Sequence, residues 1–501
     1  MTKWKCHRMF SASRIEPSNE DLTVLMREID KNRAGKPLES PMPAAYTYFG
    51  QLVDHDLTRM LHLFGPEQGP VDVYDLKLGV SPSLDLDTLY GKGFEDPIIP
   101  FNKSTGQFLL RCSNDDHFLL RDDDGYALIA DHRNDENVFI SRMLVLFMLL
   151  HNRIAGWVRR EHGLKQPEDI FKEARKHVIL IYQYLVLHDF ARTILPDVVY
   201  RNVIDAGASA SRKYNVCLNA STTLPSLPLE FATAAFRLHG WVRHDYVPSL
   251  EPFLRVPIRD LMNPDTIPSP GNARAGASMD RTIDWRLFIK SKTQDNSELV
   301  MNLALGLTPV VPKFGEMDVP LLTLKRGREF RIPSGQAIYQ AIVHDTRPEV
   351  VAMCGKIGPE MQTLDGHALF DLSDAKPLID NTPLWFYLML EALNENQSSS
   401  TPEDNDPPES RPFHKLGKLG GWLVADTLCA AMKSADVRLE DEDMSKSAIW
   451  SLLREADYYQ RDPGSDLTFQ DIVRLVYRAS NCSLPMKRKA ILMKLKELRN
   501  E

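Results

Sequence analysis

Tyr46-Thr47-Tyr48-Phe49-Gly50-Gln51-Leu52-Val53-Asp54-His55-Asp56-Leu57-Thr58 is the stretch from which the rest of the chain is read. Phe49, Val53 and Leu57 recur every four residues, which predicts a helix with one apolar face turned to a core. Gln51 and His55 stand one turn apart on a second face. Asp54 and Asp56 flank the histidine and project in other directions. An imidazole, an amide and two carboxylates thus fall within a turn and a half of a helix apolar enough to be buried. Polar groups withdrawn from water cost free energy unless each finds a partner. Taken alone, the stretch reads as a helix end with a satisfied core histidine and solvated aspartates.

The 501 residues are 43% hydrophobic, enough for a large core, and a net charge of −8 argues against a nucleic-acid surface. The basic tract from Lys487-Arg488-Lys489 to Lys496 and Arg499 is interleaved with Leu and Met, as on the solvated face of an amphipathic helix. The N-terminus lacks the apolar run of a secretory signal. No stretch is expected to span a membrane, since the most apolar, Met143 to Leu150, is short and runs into His151-Asn152-Arg153. Cys6, Cys112, Cys217, Cys354, Cys429 and Cys482 are far apart and form no CxxC pair, so neither a disulfide framework nor a zinc site is expected. Reduced thiols in a cytoplasm account for them most simply.

Working outward, residues 65–100 read as loop, and 108–129 as one or two short strands turning at Asp122-Asp123-Asp124-Gly125. Long helices are predicted from Asn137 to His162 and from Pro167 to Leu195, where Pro196 stops the second. A helix over 228–238 ends at His239-Gly240, and helical patterns recur over 285–305, 334–345, 383–393, 418–434, 445–455 and 485–500. The polar, Pro-rich segment 396–411 reads as a mobile loop. The expected fold is mainly α: one large helical domain over 1–501, with a few short strands and long loops.

Four further segments carry chemistry. In Asp131-His132-Arg133-Asn134-Asp135-Glu136-Asn137, Arg133 and Glu136 lie three apart on one face; alone, the pair reads as a helix cap box with a surface ion pair. Phe231-Ala232-Thr233-Ala234-Ala235-Phe236-Arg237-Leu238-His239-Gly240-Trp241 offers His239, with His244 beyond it as a competing metal ligand. Leu322-Thr323-Leu324-Lys325-Arg326-Gly327-Arg328 is followed by Arg331-Ile332-Pro333-Ser334-Gly335-Gln336. Ser81-Pro82-Ser83-Leu84-Asp85-Leu86-Asp87 places oxygen-bearing residues at every second position. Alone this is a solvated turn, but calcium takes about six to eight such oxygens.

Together, over roughly residues 40–475, these motifs resemble those of the animal-type haem peroxidases of the peroxidase–cyclooxygenase superfamily, in a soluble, microbial-like form. The resemblance implies that His55 lies over a haem iron and handles the peroxide proton, with Gln51 in the same cavity. Arg133 would hold the negative charge on the leaving oxygen, a role suited to a guanidinium that never titrates. His239 would be the axial iron ligand, and Thr323 stands where the family has an Asn that accepts a hydrogen bond from that imidazole. Asp54 and Glu136 match positions that form esters to the haem, and Arg326 is suited to a haem propionate or an acidic neighbour. Asp56, Ser81, Ser83 through its carbonyl, Asp85 and Asp87 match the calcium ligands.

The implied cofactors are therefore haem b, open to ester attachment, and Ca2+. The implied partners are hydrogen peroxide and a small-molecule donor, organic or halide, oxidised by a ferryl species. Two departures matter. Only Arg237 and Leu238 separate Phe236 from His239, the spacing of the fatty-acid dioxygenase branch, yet Phe236 replaces the tyrosine that carries that branch's radical. Asn137 stands where the most oxidising members have a methionine that bonds the haem. A dioxygenase-like enzyme and a haem- or calcium-binding protein without turnover remain the alternatives.

Overall fold

The computed structural model describes residues 4–32, 39–61, 77–113, 116–205, 214–219, 225–243, 245–249, 254–262, 281–289, 299–301, 318–365, 370–398, 415–455 and 466–477. The organising stretch is the helix Ala45–Leu57. Phe49, Val53 and Leu57 are fully buried, as the four-residue spacing requires. The helix packs on a longer one, Val138–Glu161. Phe49 and Phe147 stack across that contact with centroids 6.1 Å apart. Asn137 starts the longer helix by accepting a hydrogen bond from the Ile140 N–H at 2.9 Å. By length and composition this helix is apolar enough to cross a membrane, so the expectation that no stretch reaches that length is corrected. Its apolar surface is covered by the protein, with 83% of its most apolar window buried.

The next helix runs from Pro167 to Tyr184, continues through a π turn at Leu185–Phe190, and ends with a last helical turn at Ala191–Ile194 before Pro196. A π turn widens the helix by one residue, which re-aims the side chains that follow. Here it sets His188 between the Tyr200 and Tyr214 hydroxyls and turns Asp189 toward Tyr46. Buried side chains from Cys6 to Val476 form one connected core. Among the described residues strands are few and short. The largest sheet runs Met60–Leu61, Lys77–Leu78, Lys5–His7 and Ser226–Pro228, with only the last pairing parallel.

Several expectations need correction. The segment 228–238 is helical only to Ala235, ending in a π turn, and His239 lies in a separate 3-10 turn, His239–Trp241. Within the expected helix 285–305, Trp285–Leu287 is a 3-10 turn and Leu299–Met301 is a strand paired with Glu39–Pro43, while 290–298 and 302–305 lie outside the described residues. The helix Leu384–Ser398 takes up the first residues of the expected loop 396–411; the rest of that loop, 485–500 and His244 lie outside the described residues. Within 108–129 the strands are Arg111–Ser113 and Asp116–Phe118, and the 122–125 turn is present. Helices at Asn19–Asn32, Val319–Glu329, Pro348–Ile357 and Phe469–Tyr477 were not expected.

The helix Lys418–Lys433 begins on a buried carboxylate. Glu391 accepts from the Leu419 and Gly420 N–H groups at 2.8 and 3.0 Å, where the helix dipole favours negative charge. Gly417 makes the approach possible, because a Cβ there would collide with the Glu391 side chain. Glu391→Ala leaves both N–H groups buried and unpaired, at a cost of about 1–3 kcal/mol each. Urea unfolding of the variant tests this; unchanged stability would mean that water reaches these groups.

Candidate functional site

The helix Ala45–Leu57, the turn His132–Asp135, the turn His239–Trp241 and the helix Val319–Glu329 enclose a cavity of about 510 Å3. Gln51, His55, Arg133, Glu136, His239 and Arg326 all line it. Residues from four distant parts of the chain therefore meet where the motifs placed them.

His55 is 5% exposed, and its Nδ1 lies 2.9 Å from Asn134 Oδ1. The Asn134 amide cannot be turned around, because its Nδ2 donates to the Thr88 backbone carbonyl at 3.3 Å, which can only accept, as well as lying 2.6 Å from the Thr88 hydroxyl. Its oxygen must therefore accept, so His55 Nδ1 carries the proton and Nε2 is left as a bare lone pair. That nitrogen stands 3.9 Å from Glu136 Oε1. Sequence reasoning missed Asn134, although it directly follows Arg133; its role depends on a contact between segments.

Arg133 donates through Nε and Nη2 to the buried Asp131, and through Nη2 to the His55 carbonyl at 2.8 Å. The cation is thus held against the backbone of the histidine it would assist. Gln51 donates from Nε2 to Glu136 and accepts at 3.3 Å from Asn137 Nδ2. Burial pushes the Glu136 carboxyl up to about 7 against the pull of Arg133. His55 is lowered to about 4 by burial and then by Arg133, and His239 to about 4 by burial and then by Arg237. Both imidazoles are therefore neutral at ordinary pH.

His239 Nδ1 is buried without a hydrogen-bond partner. Thr323 lies in the cavity wall, but its hydroxyl donates to the Val319 carbonyl at 3.0 Å. A threonine inside a helix satisfies itself on its own preceding turn. That hydroxyl keeps lone pairs that could accept, but His239 Nδ1 has no partner, so the bond that the resemblance implied between Thr323 and the imidazole is absent. Arg326 has no ion-pair partner among the described residues, whereas Arg328 turns away to Asn19. Arg237 Nη1 lies 3.7 Å from Asp54 Oδ2, while Asp54 Oδ1 is buried and unpartnered. A neutral imidazole, an unpaired guanidinium and a cavity of this size fit a haem with anionic propionates.

Asp56 points away from the cavity and is fully buried, accepting from the Leu86 and Thr88 N–H groups at 3.2 and 3.4 Å. Leu86 takes a left-handed φ of 58°, which turns both N–H groups toward it. The Ser81 hydroxyl donates to Asp85 at 2.7 Å, and the Ser81 N–H to Asp87 at 3.3 Å. Burial raises all three carboxyls; Asp85 and Asp87 add to the rise at Asp56, and Asp87 to that at Asp85, which reaches about 7. As the side chains stand, no three His, Cys, Asp or Glu among the described residues close to metal-binding geometry. Mutual repulsion of three buried carboxylates is nonetheless what a bound cation relieves.

The family described as animal haem peroxidase matches residues 81–345, more than half of the chain, although the 46–58 stretch lies outside that match. Chorion peroxidase of Drosophila melanogaster is 25% identical over 230 residues, which are 45% of this chain. The match spans only 27% of that relative's own length. Peroxidase A of Dictyostelium discoideum has a TM-score of 0.58 over 95% of this chain and 93% of its own, at 13% identity. Fatty acid alpha-dioxygenase of Oryza sativa has a TM-score of 0.52 over 93% and 81%, at 10% identity. At these identities the structural likenesses show the fold alone, and that fold is mainly helical as expected. The matched segment carries Arg133, His239 and Arg326 to one cavity, and the chain belongs to the animal haem peroxidase family.

Proposed function

We propose that the chain binds haem b in this cavity and reduces hydrogen peroxide at the expense of a small organic or halide donor. The observation that carries the reading is the bare Nε2 of His55, oriented by Asn134 in a cavity shared with Arg133 and a neutral His239. The haem, when bound, supplies the iron at which peroxide is cleaved. His239 would hold the iron and Arg326 a propionate. His55 Nε2 takes the first peroxide proton and returns it to the departing oxygen, whose charge Arg133 stabilises. Gln51, held by Glu136 and Asn137, presents its amide to the same space. An optical spectrum of the pure protein, before and after peroxide, tests the reading. A protein without haem, or one that peroxide leaves unchanged, would sink it.

The dioxygenase-like alternative rests on the spacing before His239. Against it, Phe236 lines the cavity, stacked on Phe231 at 4.8 Å, and has no O–H to lose. Oxygen uptake with palmitate should stay at background. A protein that binds haem and calcium without turnover would show the spectrum but oxidise no chromogenic donor. The five described cysteines are free, in keeping with a proposed cytoplasmic setting.

Calcium is proposed at Asp56, Ser81, Ser83, Asp85 and Asp87, tying the loop to the helix that carries His55. Adding chelator should lower the melting temperature, and adding calcium should restore it. Protein free of calcium by metal analysis, and indifferent to both treatments, would exclude the site.

Asp54 and Glu136, both in the cavity wall, are the proposed ester positions. Asn137 has no sulfur and instead caps a helix, so attachment through it is not expected. After peroxide exposure, acid–acetone should leave part of the haem on the protein, and Asp54→Asn or Glu136→Gln should release it. Complete extraction from the parent protein would rule out the esters.

A further inference from the structure

Phe236 leaves the wall beside His239 without a tyrosine, yet an aromatic path leads out of the cavity to one elsewhere. Trp241 and Phe236 both line the cavity, and both pack edge-on against Phe190, with centroids 6.2 and 6.3 Å away. Phe190 in turn stacks on Tyr46, at 6.4 Å and 22°. Gly50 makes room for this arrangement, since a Cβ there would lie 2.9 Å from the Phe190 ring. Tyr46 is partly exposed, at the first turn of the helix that carries His55 two turns further on.

The far end of this path has a proton acceptor. The Tyr46 hydroxyl donates to Asp189 Oδ1 at 2.7 Å, and Asp189 Oδ2 accepts from the Phe469 N–H at 2.6 Å. A phenol gives up an electron readily only if its proton leaves at the same time, because the oxidised ring is a strong acid. Burial raises Asp189 to about 6, so it is a stronger base than an ordinary carboxylate. Tyr48 lines the cavity directly but has no carboxylate at its hydroxyl. The hydroxyls of Tyr90, Tyr200 and Tyr214 meet imidazoles, away from the rings that lead to Trp241.

We propose that Tyr46 is a redox-active exit site, through which the peroxide-oxidised cavity draws electrons from donors too large to enter it. The inference rests on the haem peroxidase reading, with hydrogen peroxide as the oxidant. One electron passes from Tyr46 through Phe190 and Trp241 into the cavity, while the O–H bond breaks and its proton moves to Asp189 Oδ1. A neutral phenoxyl radical remains on the partly exposed Tyr46. A docked donor returns one electron, the proton comes back from Asp189, and the hydroxyl is restored. Two such cycles, with two protons taken from solvent, reduce one peroxide to two waters.

The test is rapid-freeze electron paramagnetic resonance of the haem-loaded protein after peroxide, with mass spectrometry locating a nitroso spin-trap adduct. We expect a tyrosyl signal and an adduct at Tyr46, both lost in Tyr46→Phe, which keeps the ring stack. Oxidation of ferrocytochrome c should be lost with them, while that of a small phenol is retained. Asp189→Asn can still accept from Phe469 but cannot take the proton, so the signal should fall there too, even if Tyr46→Phe folds poorly. An unchanged signal in both variants, or an adduct at Tyr48 instead, overturns the exit site while leaving the peroxidase reading intact. A protein that shows no optical response to peroxide overturns the peroxidase reading first, and the exit site with it.

Discussion

His239→Ala is expected to lose haem, or to keep it only without the spectrum of a histidine-ligated iron. The ring lies in the cavity wall, is kept neutral by burial, and has no hydrogen-bond partner at Nδ1. Added imidazole should restore binding, because the cavity and Arg326 remain. The imidazole lacks the polarising acceptor that usually orients such a ligand. Thr323→Val should therefore change the spectrum little, since the hydroxyl it removes bonds Val319. An unchanged spectrum in His239→Ala, together with its loss in His244→Ala, would transfer the ligand role to the competing histidine.

His55→Ala should keep haem but slow the spectral response to peroxide by about 10^2- to 10^4-fold, the usual contribution of a positioned general base. Arg133→Ala should slow it as well, with haem retained. Asn134→Val leaves the imidazole in place but removes the acceptor that fixes its tautomer, so a smaller loss is expected. The sign of the pH dependence follows from the lowered pKa. Burial, then Arg133, lowers His55 to about 4, so the base is neutral above that pH and protonated below it. The parent rate should fall as pH drops through about 4, and His55→Ala should lack this fall. Stopped-flow spectra across pH measure both; a parent-like rate in His55→Ala would remove the histidine from the mechanism.

What was legible in the sequence followed from local periodicity and close spacing. Phe49, Val53 and Leu57 announced a buried face, and the i,i+4 pair Gln51 and His55 a polar one. Asn137 signalled the start of the long helix, and Pro196 the end of the other. A helix repeats every few residues, so residues close in sequence already carry that geometry. The 3-10 turn at His239, the π turn at Leu185–Phe190 and the strand Leu299–Met301 were not legible in this way. Each depends on what lies against it, and a short apolar run fits a strand as well as a helix.

The residue types at the site, their order and the helix that carries His55 can all be read from the chain before it folds. How those residues are paired and oriented depends on contacts between distant segments. Asn134 rather than a neighbouring carboxylate orients His55, because Thr88 occupies the other end of its amide. Arg326 faces the cavity and Arg328 does not, because helix Val319–Glu329 turns them apart. Thr323 bonds its own helix rather than His239. The physical reason is the same in each case. A hydrogen bond needs its partner within about 3 Å and in line, and between segments far apart in the chain only the packing of the core brings that partner into place.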